Sequence, residues 1–334
     1  MRIVMMGTGG FAVPTFQKLL TAPTIQVVGL FTQPDRNVGA RRSSTRQAVV
    51  GMKDVALEHN IPVFQPENIN LPPWEEQLRE LQPDLYVVAA YGQILKAHIL
   101  NVPTHGAINV HASLLPKYRG ASPIVRAIQA GDAESGVTII RLNTGLDAGE
   151  MLARQSTPIG ATENAGELEE RLAMIGADLA CQTIDQIRLG TTHGIPQDLS
   201  LVTKAPKLTK EEGLIPWERS KQVVDCHIRA MQPWPAPFTW LHRPGKPSLR
   251  IIVPRVGVPA APPADEMPTT PGGLIATPKQ LKVRTGDGWL EILEVQPAGK
   301  KRMLAEEFLR GHPIGPGDYV GPEFSTDPPV SSTT

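Results

Sequence analysis

Three residues have types and spacing that could carry chemistry. Asn109 and His111 stand two apart at the end of the apolar run Ala107–Val110. A strand has a side-chain period of two, so both would project from one face. Asp147 follows in Asn143-Thr144-Gly145-Leu146-Asp147-Ala148-Gly149, after the β-branched run Val137–Leu142. An amide can donate to a developing oxyanion. An imidazole can move a proton, and a carboxylate can orient the ring and stabilise its charge. Ser113 is near, but it has no G-x-S-x-G turn around it. The set therefore favours direct attack by a substrate nucleophile on a bound acyl carbon, without a covalent enzyme intermediate. The same residues have plainer uses. Polar residues at strand ends are commonly satisfied structural groups. An Asp among glycines is commonly a turn residue, and Ser113–Pro116 has the character of a loop exit.

A second candidate lies at the front. Gly7-Thr8-Gly9-Gly10-Phe11-Ala12 fits G-x-G-x-x-A between a strand and a helix, the place of a dinucleotide fingerprint. The second strand ends in Phe31-Thr32-Gln33 instead of an acid for a ribose, and Pro14 sits in the first turn of the expected helix. A tight turn with close strand–helix packing explains these glycines equally.

The elements that must position these residues alternate. Apolar runs at Arg2–Met6, Ile25–Phe31, Ile61–Phe64, Leu85–Ala90, Ala107–Val110 and Val137–Leu142 predict strands. Helical spacing marks Phe11–Leu20, Gln47–His59, Trp74–Leu81 and Glu163–Leu189. Such alternation predicts an α/β domain with a doubly wound, Rossmann-like parallel sheet over residues 1–190. After Gly190 the chain becomes rich in Pro and Trp. Helical spacing returns at Ser220–Met231, and short β runs follow at Leu249–Val253, Leu274–Ala276, Leu281–Arg284 and Trp289–Val295. A linker over 191–210 and a small β-barrel domain over 211–323 are expected. Pro254–Gly273 reads as a surface loop or insertion, and 324–334 as a disordered tail.

Composition sets outer limits. The 334 residues hold 33 Lys+Arg and 33 Asp+Glu, with 41% hydrophobic residues. That excludes a disordered chain. No apolar stretch is long enough to span a membrane. The two cysteines, Cys181 and Cys226, are too few for a disulfide framework or zinc site, and a reducing, cytoplasmic setting is expected. The zero net charge is a cancellation. Residues 1–50 hold six basic residues against one acid, and 201–250 hold nine against four. Two basic segments face an acidic remainder, which is compatible with a polyanionic partner.

Longer motifs surround the three residues. Asn109-x-His111-x-Ser113-Leu114-Leu115-Pro116-x-x-Arg119-Gly120, followed by Gly145-Leu146-Asp147-x-Gly149, resembles the folate-dependent formyltransferase family. Thr32–Arg36, Pro83–Leu95, Ala205–Gly213, Ile228–Ala230, Pro233–Pro235 and Phe308–Gly311 extend the likeness from Met1 to about Gly321. The segments after Lys204 resemble the members that act on initiator methionyl-tRNA. The resemblance implies a Rossmann-like first domain and a C-terminal barrel resembling the OB fold. It implies formyl transfer from 10-formyltetrahydrofolate to the α-amine of methionyl-initiator-tRNA through a tetrahedral intermediate, in translation initiation. Asn109, His111 and Asp147 become the catalytic set. Tyr86, Val88, Ala89, Ala90, Tyr91, Gly92, Gln93, Ile94 and Leu95, with Leu142, Gly145 and Leu146, become the folate-binding set. No metal is implied.

A tRNA substrate needs phosphate contacts. Arg36, Arg41, Arg42 and Arg46 form one basic stretch; Lys204, Lys207 and Lys210 form another, continued by Arg219, Lys221 and Arg229. Ser113, Leu114, Leu115 and Pro116 join the expected substrate side. The loop Asn37–Ser44 departs from the family's usual Gly/Lys-rich pattern, so general basic contact carries over and individual base contacts do not. No membrane and no stable protein partner is expected, and the chain reads as a monomer. The alternatives are a sugar-nucleotide amine formyltransferase, which shares the catalytic core, and glycinamide ribonucleotide transformylase, which would normally stop near the end of the first domain. An NAD-dependent oxidoreductase using Gly7–Ala12 and a non-catalytic RNA-binding module come from other classes.

Overall fold

The computed structural model describes residues 1–35, 51–259 and 268–323. The chain divides into two units, 1–127 with 133–160 and 167–207, and 128–132 with 161–166 and 208–334.

In the first unit, apolar runs become strands and amphipathic runs become helices in alternation. They are β1 (Arg2–Gly7), α1 (Val13–Thr21), β2 (Gln26–Phe31), α2 (Met52–Glu58), β3 (Val63–Phe64), α3 (Pro72–Glu80), β4 (Leu85–Ala89), α4 (Ala97–Leu100) and β5 (Ala107–His111). There follow β6 (Arg119–Gly120), α5 (Pro123–Ala130), β7 (Glu134–Arg141), β8 (Met151–Pro158), α6 (Ala165–Leu189) and β9 (Lys204–Ala205). The main sheet runs β3-β2-β1-β4-β5-β7-β8. Its first five strands are parallel. Every residue of β4 is buried, as expected where helices cover both faces. Val4, Met6, Phe31, Tyr86, Val88, Tyr91 and Leu95 share one core cluster.

The expected parallel sheet is present over five strands and is extended at one edge by two antiparallel ones. The sheet is mixed: β7 runs antiparallel to β5, and β8 antiparallel to β7. Residues 112–133 make an out-and-back excursion, so β7 starts at the end where β5 finishes, with His111 opposite Thr138. The edge strand β8 reads Met-Leu-Ala-Arg-Gln-Ser-Thr-Pro and is largely exposed. It carries too few apolar residues to announce itself in sequence. The segment expected as a linker divides at 207, with 191–207 clustering in the first unit. There Ile195 bridges Met151, and β9 pairs with β6.

The second unit holds α7 (Lys221–Ala230), β10 (Phe238–Arg243), β11 (Lys246–Gly257), β12 (Leu274–Ala276), β13 (Leu281–Arg284), β14 (Trp289–Pro297), β15 (Met303–Leu304), α8 (Ala305–Gly311) and β16 (Tyr319–Gly321). Ser220 caps α7 by accepting from the Val223 N–H, so the sequence-expected helix starts at a proper cap. Val224 and Ile228, one turn apart, join the core with Leu241, Ile251, Val253 and Phe308. The strand order is β12-β13-β14-β11-β10-β16, and Gly273 bridges Tyr319 to bring the two ends together. Gly272 makes that closure possible. Its φ of 84° suits glycine, and an added Cβ would run into the Val320 carbonyl oxygen. The result is a nearly closed antiparallel barrel, as the short β runs predicted. Among the described residues no helix is long and apolar enough to cross a membrane.

Candidate active site

β5 delivers Asn109 and His111 to one face, as its period of two requires. Asp147 arrives from the β7–β8 connection. Because β7 is antiparallel, Leu142 leaves beside the start of β5, where its N–H donates to the Ala107 carbonyl at 2.8 Å. The loop 142–149 then carries Asp147 over the Asn109–His111 face. Asp147 Oδ1 lies 3.4 Å from Asn109 Nδ2 and 3.6 Å from His111 Nδ1. Its Oδ2 accepts from the Gly120 N–H at 2.9 Å. His111 is 5% exposed and Asp147 9%, so the carboxylate acts on the ring with little solvent screening.

The two nitrogens of His111 have different partners. Nε2 lies 3.0 Å from the Tyr118 carbonyl oxygen. A carbonyl only accepts, so Nε2 carries a proton. That leaves Nδ1, the nitrogen beside the carboxylate, as the ring atom that can accept or release a proton towards the site. Asn109 Nδ2 has two N–H bonds, of which Asp147 can take one. The set can donate from Asn109, pass a proton through Nδ1, and stabilise the resulting ring charge with Asp147.

Two supports have no signal in the sequence. Gln197 is 9% exposed and belongs to the segment expected as a linker. Its Nε2 donates to the carbonyls of Asp147 and Gly149, each at 2.8 Å. Its Oε1 accepts from Arg119 Nε at 3.0 Å and from the Arg119 terminal nitrogen at 2.8 Å. Thr138 is fully buried; its hydroxyl donates to the Ser113 carbonyl at 2.7 Å and accepts from the Leu115 N–H at 3.1 Å. A Gln in Pro-Gln-Asp and a Thr in a strand are ordinary residues until the fold closes around them.

The other sequence-expected residues fall into groups. Ser113, Leu115 and Pro116 are buried, Leu114 is half-buried, and the Ser113 hydroxyl donates to the Lys117 carbonyl at 2.6 Å. Tyr86, Val88, Ala89, Tyr91 and Leu95 are buried core residues. Ala90 and Gly92 are exposed at positive φ where the chain leaves β4, and Gln93 links the Ile69 N–H to the Pro66 carbonyl. Ile94 and Leu146 are large exposed apolar side chains. Leu142 is half-buried and Gly145 exposed. Lys204, Lys207 and Lys210 are exposed. Arg36, Arg41, Arg42 and Arg46 lie outside the described residues, as do 47–50, 260–267 and 324–334. In the Gly7–Ala12 turn, a Cβ on Gly7 would come within 2.9 Å of both Ala12 Cβ and the Ala89 carbonyl oxygen. That glycine serves close packing of β1 against its neighbours.

Comparison with known proteins now decides the family. The formyl transferase pattern matches residues 1–184, and the pattern for the formyl transferase C-terminal domain matches 207–313. The chain belongs to the formyl transferase family. Within that family it is 42% identical over 322 residues to the methionyl-tRNA formyltransferase of Geotalea uraniireducens, covering 96% of this chain and 98% of that one. It is 43% identical over 314 residues to the methionyl-tRNA formyltransferase of Methylococcus capsulatus, covering 94% and 98%. A solved sugar 3N-formyl transferase, determined in the presence of dTDP and 5-N-formyl-THF, shares the fold. It has a TM-score of 0.63 and 18% identity, covering 90% of this chain and 99% of that one.

Proposed function

We propose that this formyl transferase moves the formyl group of 10-formyltetrahydrofolate to the α-amine of methionyl-initiator-tRNA. The near full-length identity of 42% to a methionyl-tRNA formyltransferase carries the reading. The convergence of Asn109, His111 and Asp147 supports it chemically. The folate is a cosubstrate and supplies an acyl carbon. The free amine attacks that carbon, and negative charge develops on the formyl oxygen. Asn109 donates to that oxygen. The attacking nitrogen must lose a proton, and His111 Nδ1 is the basic atom aimed into the site. As the tetrahedral intermediate collapses, the bond from the formyl carbon to N10 of the folate breaks, and tetrahydrofolate leaves with that proton on N10. Asp147 holds the ring and offsets its charge. A preorganised donor set of this kind needs no reorganisation as charge develops.

The exposed residues Ala90 and Gly92 are positioned to offer main-chain polar groups to a folate ring, and Ile94 and Leu146 offer apolar surface. Lys204, Lys207 and Lys210, with the arginines of 36–46, serve the tRNA phosphates. The reaction belongs to translation initiation, hence to the cytoplasm, and no subunit partner is invoked.

Purified protein should be supplied with 10-formyltetrahydrofolate and either charged initiator tRNA or a dTDP-amino sugar. Formyl-methionyl-tRNA is the expected product. Formylation of the sugar amine with none of the tRNA would overturn the assignment in favour of the sugar branch.

A further inference from the structure

We infer that Gln197 and Arg119 form a clamp that sets the conformation of Asp147, which makes Gln197 a positioning residue for the proposed transfer. Asp147 has a φ of 47°, in the left-handed region that non-glycine residues rarely occupy. Such a backbone persists only where its surroundings over-determine it. One buried side chain, Gln197, takes part in that determination here. Gln197 Nε2 donates to the carbonyls of Asp147 and Gly149, on either side of Ala148. It thereby ties together the backbone that turns the carboxylate towards Asn109 and His111.

An amide by itself is an ambiguous clamp. Turned over, its oxygen would face two carbonyls and repel both. Arg119 removes that ambiguity, because it donates to Oε1 twice and has no acceptor. Every strong hydrogen-bonding position of the amide is then used, and only one orientation satisfies all partners. Arg119 belongs to β6, which pairs with β9, and its N–H donates to the Thr203 carbonyl at 2.9 Å. The adjacent Gly120 N–H donates to Asp147 Oδ2. One short strand thus holds the carboxylate directly through Gly120 and its backbone through Arg119 and Gln197. Gln197 touches no proposed reacting atom, so its effect is one of placement.

The inference rests on the formyl-transfer reading for its kinetic readout, and on a second readout that does not. Gln197→Met keeps the volume and removes both donors. Gln197→Glu keeps the acceptor for Arg119 and turns a carboxylate oxygen on two carbonyls. Displacing a reacting group by about 1 Å can cost about 100-fold in rate. Both variants should therefore lower kcat by about 10- to 100-fold, with KM for tRNA and folate within about twofold of wild type. Arg119→Met should lower kcat in the same direction by less, because it frees the amide without deleting it. Hydrogen exchange at the amides of 146–149 should accelerate in all three while the β4 and β5 amides stay protected. A Gln197→Met protein with wild-type kcat and unchanged exchange at 146–149 would overturn the clamp. If wild-type protein formylates no amine, the functional reading fails, and the exchange at 146–149 still decides the clamp.

Discussion

At His111 the Tyr118 carbonyl takes Nε2, and the Asp147 carboxylate faces Nδ1, so the main chain holds one ring nitrogen and leaves the other for the proposed chemistry. Asn109 lies beside the same carboxylate oxygen with a free N–H to offer. The division of labour has a kinetic consequence. Replacing Asn109 by Ala should lower kcat by about 10²–10³, or about 2.7–4 kcal/mol, the usual worth of one oxyanion donor. Asn109 is only half-buried, so the melting temperature should stay close to that of wild type. Single-turnover formyl transfer and a thermal melt on the same preparation check both halves. Turnover equal to wild type in a folded Asn109→Ala protein would remove the residue from the mechanism.

At the scale of elements, the β7 side chain Thr138 holds the loop that follows β5. Its hydroxyl serves the Ser113 carbonyl and the Leu115 N–H at once, with no solvent access. Thr138→Val keeps the shape and orphans both groups. An unsatisfied buried group costs about 1–3 kcal/mol. The urea midpoint should fall accordingly, and a midpoint unchanged from wild type would show that the loop finds other partners. On α7, burial holds the His227 ring below the ordinary histidine range. The main-chain groups of Gly213 and Leu214 and the charges of Glu212 and Glu218 oppose that shift without cancelling it. The unfolded chain takes up a proton that the folded ring resists. Stability from this group is therefore complete above 6.5, the ordinary value, and falls as the pH drops below it towards the folded value. Urea unfolding at about pH 7.5 and about pH 5.5, followed by tryptophan fluorescence, should show the loss at acid pH in wild type. In His227→Gln the loss should shrink, and an equal loss in both proteins would assign it to other groups.

For the whole molecule the charge pattern matters more than the sum. A net charge of zero hides two basic segments, 1–50 and 201–250, against an acidic remainder. If Arg41 and Arg42 neutralise tRNA phosphates, binding releases counterions in proportion. Changing both to Ala should weaken tRNA binding and make its dependence on salt shallower, by about one to two in the log–log slope. Filter binding across a salt series reads this directly. A wild-type slope in the double variant would take Arg41 and Arg42 out of the phosphate interface.

The sequence alone determined much of the plan. Continuous apolar runs marked the buried parallel strands, because burial on both faces leaves no alternation to hide them. The spacing of Asn109 and His111 fixed their shared face, because the strand period is two. Ser220 and the apolar positions of α7 fixed a helix and its start. The tertiary structure decided the rest, where the information lies in pairing between distant segments. The direction of β7 follows from the excursion 112–133, and no local pattern encodes it. The exposed edge strand β8 is held by pairing, not by apolar composition. Gln197 lies 50 residues from Asp147 in sequence, and only the closed fold brings its amide against that loop. The residue types of the candidate site were written in the chain; the orientation of Asp147 depends on hydrogen bonds that exist only once it has folded.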